Sequence, residues 1–227
     1  MNEADLIKLV IALASAFAGW ILAQFTSAAK TWAQRRKVAK LLIEELRDIE
    51  KQVGRLQMFY SRQLQIVGAQ GVGNTTSTGI SNPIYKNYYK DALLSLNQDQ
   101  RLSFQMIHSL VDQVNTGVEE LKMLTTDIQN EHAENGMSER IVKAGGIWGE
   151  KVKAEYSHCA SLLWQVKYHL GNQQGPDLSP FTKAHEDFCR YLEEADGQAD
   201  KLIEGGKTID PSKFDRKYNP EAFNTAP

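Results

Sequence analysis

From Leu9 to Ala29 the chain carries no charged residue, and Lys30, Arg35, Arg36, Lys37 and Lys40 close the run on its C-terminal side. A helix rises about 1.5 Å per residue, so such a run covers roughly 32 Å, close to the hydrocarbon thickness of a bilayer. The run therefore predicts a single transmembrane helix over about residues 9–29. The mean hydropathy of the whole chain is −0.42, so this apolar excess is local and the remainder reads as water-soluble. Behind the first 37 residues lie roughly 190 more, enough for one domain with its own core.

A secretory leader needs a positive start, a shorter apolar core and a small-residue cleavage site. Here Glu3 and Asp5 offset Lys8, and Ala14-Ser15-Ala16 falls too early in the run to serve as that site. The span is thus expected to be retained. Positive residues beside a span favour the cytoplasmic side, which places the N-terminus outside and the domain in the cytoplasm at a bacterial inner membrane. Lys30, Trp32, Arg35, Arg36, Lys37 and Lys40 form the juxtamembrane anchor, with a snorkelling amine and an amphipathic ring suited to the interface. Within the span, Ser15, Gly19, Ala23 and Ser27 recur every four residues. Small side chains in one row let two helix backbones approach, the usual route to association inside a membrane.

Helical periodicity continues without a strong break. Leu42, Leu46, Ile49, Val53, Leu56, Tyr60, Leu64 and Val67 are spaced by threes and fours, the seam of a helix packed lengthwise on others. Gln70 to Asn82 is rich in Gly, Ser and Thr and reads as a mobile loop. Its glycines approach a phosphate-binding loop, but Asn74 stands where the lysine is required and no strand precedes it; Asn74-Thr75-Thr76 is a glycosylation sequon without consequence in a cytoplasmic domain. Asn82-Pro83 starts a short aromatic helix with Ile84, Tyr85, Tyr88 and Tyr89, expected to pack across the end of a bundle. Asn97 and Gln100 form a capping box ahead of a seam of Phe104, Ile107, Val111, Val114, Val118, Leu121, Thr125 and Ile128, ended by Gly136. Asn115 sits beside that seam and is expected to hydrogen-bond across it.

Ser138 caps the next helix, with a seam of Ile141, Gly145, Trp148, Val152, Tyr156, Cys159, Leu163, Val166 and Leu170. Gly145, Gly146 and Gly149 predict a bend or a close approach there. Ser179-Pro180 opens the last helix, through Phe181, His185, Phe188, Leu192, Ala195, Ala199 and Leu202 to Gly205 and Gly206. A tail with Phe214, Tyr218 and Phe223 follows. The expected architecture is all-α: an anchor over 1–37, an antiparallel bundle of about four long helices over 38–205, and a tail over 206–227.

The search for chemistry returns little. A net charge of −2 argues against a nucleic-acid binder, which normally carries a broad basic face. Cys159 and Cys189 are at seam spacing and read as buried free thiols. His158 and Cys159 are neighbours and point apart, while His185 and Cys189 share a helix face without an orienting third group. Glu155 and His158 make one Glu-x-x-His pair, and a bundle metal site requires two. Glu44, Glu45, Glu119 and Glu120 read as solvated faces. No catalytic, cofactor or metal residue is assigned. Trp148, Trp164 and Tyr168 mark the place for a ligand pocket, if the bundle has one.

The expected function is a non-enzymatic, membrane-anchored interaction protein: a homo-oligomer in the lipid bilayer that engages a cytoplasmic protein partner and no nucleic acid. The alternative is a membrane effector or sensor, whose bundle detects a signal and whose assembled spans perturb the membrane. A tethered enzyme is the third reading.

Overall fold

In the computed structural model of the chain, the backbone is described for residues 3–74 and 77–210, and side chains for residue 11 and from residue 13 onward within those ranges. Phe214, Tyr218 and Phe223 of the tail lie outside the described residues, as do Thr75 and Thr76 of the sequon. The helices are α1 (Glu3–Gly68), α2 (Pro83–Ala92), α3 (Gln98–Asn135), α4 (Glu139–Gly171) and α5 (Lys183–Gly206), with a 3-10 turn over Leu93–Ser95. No strand occurs among the described residues, so the fold is all-α, and the helices form a bundle. α4 is its axis, packing on α1, α3 and α5; α5 also lies along α1, and α2 packs on α1.

The core follows the seams. Leu42, Leu46, Ile49, Val53, Tyr60 and Leu64 of α1 are buried, as are Phe104, Ile107, Val111, Val114, Leu121 and Thr125 of α3 and Trp148, Val152, Cys159 and Val166 of α4. Burying a large apolar side chain contributes about 1.5–3 kcal/mol, so these rows carry the fold. Thr125 fills its seam position by accepting a hydrogen bond from the Trp148 indole N–H at 2.9 Å. The capping box at Asn97 and Gln100 forms as expected, Ser138 caps α4, and Gly136 ends α3 at φ 65°.

α1 is one continuous helix of 66 residues. There is no break between Lys30 and Val38 and none at Gly54. The transmembrane expectation needs a correction. Among the described residues no helix is long and apolar enough to cross a membrane. From Leu13 onward, Gly19, Gln24, Thr26 and Ser27 dilute the apolar character, and the side chains of Leu9, Val10 and Ala12 lie outside the described residues.

Four local expectations also change. Among the described residues from Ala69 to Asn82, Gly73, Ile80 and Asn82 are buried and the others are half-buried or exposed. Asn115 holds the segment: the side chain accepts from the Ile80 N–H at 2.6 Å and donates to the Ile80 carbonyl at 2.9 Å. Asn115 therefore bonds to the connection and not across a helix seam, because an amide matches both polar groups of one extended residue. α2 lies along the bundle, with Tyr85 stacked on His108 at 3.6 Å and on Tyr89 at 4.4 Å. Thr182, not Ser179, caps α5; this leaves Phe181 outside the helix, at φ 66° and 96% exposed.

The three glycines of α4 differ in what surrounds them. A Cβ at Gly149 would stand 3.1 Å from Val67, whereas one at Gly146 would meet nothing. A close approach of two backbones was not expected: side chains at Gly68 or Gly206 would collide with the backbone of Ile203 or Gln65. α1 and α5 meet there backbone to backbone.

Candidate functional site

The feature that separates α1 from an ordinary bundle helix is the contrast between its halves. Val38 is the first residue of the helix in the core, at 2% exposure. Before it, Ile11, Leu13, Phe17, Trp20, Leu22, Phe25 and Trp32 are all at least 59% exposed. At 100° per residue these side chains spread over about 200° of the helix circumference and leave the side of Ser15, Gly19, Ala23 and Ser27 without a large apolar residue. A monomeric protein in water rarely exposes a contiguous apolar surface of this size. Two hydroxyls inside the stretch are folded back on the helix: Ser15 donates to the Ile11 carbonyl and Thr26 to the Leu22 carbonyl, both at 2.8 Å. Hydroxyls satisfied in this way are compatible with a medium that offers no hydrogen bonds.

Ser15, Gly19, Ala23 and Ser27 lie on the exposed surface, and nothing stands within 4 Å of a Cβ built at Gly19. A shallow groove runs beside the stripe, lined by Gly19, Leu22, Ala23, Thr26, Ser27 and Lys30. Among the residues that close the apolar run, Arg36 sits over the Trp32 ring at 4.7 Å, Arg35 is half-buried, and Lys30, Lys37 and Lys40 are exposed.

The bundle holds one buried polar unit that the sequence pattern did not reveal. Glu45, read as part of a solvated face, is buried, and its carboxylate accepts the Ile84 N–H at 2.6 Å and the Tyr85 N–H at 2.9 Å. It thereby caps α2 from α1. The side chain of Asn82, the residue at the expected cap position, instead meets His108 Nδ1 at 3.0 Å. His108 Nε2 stands 3.9 Å from Glu45. Burial raises the Glu45 carboxyl above its usual value, partly offset by the two N–H groups. Burial, with Lys86 and His169 nearby, lowers His108 to about 3, so the imidazole is neutral at pH 7. The signal available in the sequence was Glu45 beside Leu42, Leu46 and Ile49, one position off a strong seam.

The remaining candidates stay dispersed. Cys159 is buried, and desolvation holds its thiol far above the usual range. Cys189 is exposed, contrary to expectation, with its sulfur 3.7 Å from His185 Nε2. Glu155 is buried against Gly117 and lies 3.3 Å from His158. Among the described residues no group of three metal-ligating side chains gathers. Trp164 stacks on Tyr168 and meets Phe188 at a tilt, each at 5.0 Å, and Trp148 is fully buried.

Compared with protein-family models, curated proteins and solved structures, the chain matches none.

Proposed function

We propose that this protein is a non-enzymatic, single-pass membrane-anchored bundle that self-associates through its span and presents the bundle to a cytoplasmic protein partner. The observation that carries the reading is the exposed apolar half of α1, which projects from the bundle as part of one unbroken helix. Residues 3–37 extend roughly 50 Å at helical rise, longer than the roughly 30 Å hydrocarbon layer. The basic cluster and Trp32 follow the apolar run directly, which supports an interface at about Lys30 to Lys40 and a cytoplasmic bundle.

The test uses the full chain reconstituted into phosphatidylcholine vesicles. It should float with the vesicles after an alkaline carbonate wash, and bromine on the lipid tails should quench the fluorescence of Trp20 more than that of Trp148. Release of the chain by carbonate, with no lipid quenching, overturns the reading.

A second reading draws on the continuity of α1. A rigid connection from span to core would let rearrangement of the bundle move several spans together, as a membrane effector or sensor requires. Depolarisation of cells that overproduce the chain, relieved by Gly19→Leu, supports that reading. Unchanged membrane potential under inducing conditions removes it.

A further inference from the structure

The juxtamembrane part of α1 does not stand alone. The corner formed by the end of α2 and the 3-10 turn reaches back beside it, and the two enclose a cleft of about 450 Å³ lined by Lys30, Thr31, Gln34 and Arg35 of α1 and by Lys90, Asp91 and Leu94. Three of these residues are cations. None of Lys30, Arg35 and Lys90 takes part in an ion pair among the described residues, although ion pairs form elsewhere on the surface, as between Lys86 and Asp112 at 3.5 Å. Asp91 lines the cleft without closing on any of them. Like charges gathered around one opening repel, and a bound anion relieves that cost. The Gln34 amide adds a polar group to the same wall, while the Thr31 hydroxyl donates to the Ser27 carbonyl at 2.9 Å. Leu94, 79% exposed, forms an apolar edge beside the cations.

We propose that this cleft binds the phosphate of one anionic phospholipid headgroup. The source is a lipid because of where the cleft lies. Lys30 directly follows the apolar run, so the opening sits at the level where phosphates line a bilayer, and Leu94 offers an apolar surface to the acyl-chain side. Lys90 is the decisive residue. It belongs to the bundle, so a lipid held between Lys90 and Lys30 or Arg35 would clamp the bundle at a fixed angle to the membrane. A cluster on α1 alone could not do that. This inference rests on the membrane reading above.

The experiment incorporates the full chain in nanodiscs of phosphatidylcholine with a minor fraction of phosphatidylglycerol and counts retained phosphatidylglycerol by native mass spectrometry. The wild type should retain one such lipid per chain. Lys90→Gln should weaken retention about fivefold, the order of the contribution of one basic residue at an anionic surface, while Lys37→Gln, which removes the same charge outside the cleft, should weaken it less. Equal losses in the two variants overturn the site in favour of general attraction. Displacement of the lipid by millimolar inorganic phosphate overturns the assignment to a lipid. Failure of the chain to incorporate even into pure phosphatidylcholine defeats the membrane reading and this proposal with it. Normal incorporation with no retained phosphatidylglycerol defeats this proposal alone.

Discussion

Glu45, His108 and His169 show how single residues set the conditions under which the bundle is stable. Both imidazoles are buried in the neutral form: His108 lies under the Tyr85 ring, and His169 touches Ser103 Oγ at 2.8 Å. Burial lowers His108 to about 3 and His169 to about 4, whereas an unfolded chain takes up these protons near pH 6.5. Between those limits the unfolded state binds more protons, so stability falls as pH falls. Glu45 acts in the opposite sense. Its raised carboxyl binds a proton more readily in the folded state, which offsets part of the loss just above the usual glutamate range. The histidines therefore dominate from pH 6.5 down toward that range. Chemical unfolding of the full chain in non-ionic detergent, followed by circular dichroism, should show lower stability at pH 5 than at pH 7. His169→Gln, which keeps a polar group for Ser103, should flatten the dependence by about 1 kcal/mol per pH unit. An unchanged slope in that variant would show that His169 is protonated or solvated in the fold.

At the scale of the helices, the crossing of α1 and α5 decides how the far end of the bundle closes. Gly206 is buried and faces the Gln65 carbonyl, while neighbouring Gly205 is exposed with nothing within 4 Å of a built Cβ. Gly206→Ala should destabilise the fold by about 1–3 kcal/mol, because the backbones must separate. Gly205→Ala should be neutral or stabilise by up to about 1 kcal/mol through helix propensity. Thermal melts of the two variants compare the effects directly, and equal melting temperatures would refute the close crossing. This contrast also marks how far the sequence was legible. Periodicity identified the buried rows of α1, α3 and α4, since spacing by threes and fours registers which face is apolar. Caps at Asn97 and Ser138 were readable because their chemistry is local. Gly68 and Gly206 read only as helix ends, since periodicity does not say which helices cross or how closely. Glu45 was missed for a related reason: its partners, the N–H groups of Ile84 and Tyr85, lie far along the chain. The Gly- and Ser-rich composition of 70–82 suggested mobility, yet a single side chain, Asn115, supplies the bonds that seat Ile80. The four-residue spacing of Ser15, Gly19, Ala23 and Ser27 is a property of the sequence itself, whereas the cleft beside Lys30 was not legible, because Lys90 enters it from another element.

Across the whole molecule, α1 is a rod of about 100 Å that is embedded in the bundle over its second half, while from Leu13 to Lys30 every residue but the half-buried Ile21 is exposed. A bare apolar rod gains by pairing with another copy, and the geometry says which face would pair. At 100° per residue, Ser15, Gly19, Ala23 and Ser27 occupy one side of the helix, while Ala14 and Ala28 lie on the opposite side. The Ser15 and Thr26 hydroxyls are occupied by their own backbone carbonyls, so pairing across the stripe would depend on close packing. Adding bulk on that side should therefore be costly, and adding the same bulk on the other side should not. Gly19→Leu and Ala23→Leu are expected to shift the chain from oligomer to monomer at least tenfold in detergent dilution, read by energy transfer between labelled copies. Ala14→Leu and Ala28→Leu should leave the transfer curve in place. All four variants should keep the circular dichroism and melting temperature of the wild type, since no bundle residue packs on this part of α1. Loss of transfer in the Ala14 and Ala28 variants alone would move the contact to the opposite face, and loss in none of the four would mean that the anchors do not meet through packing of this helix.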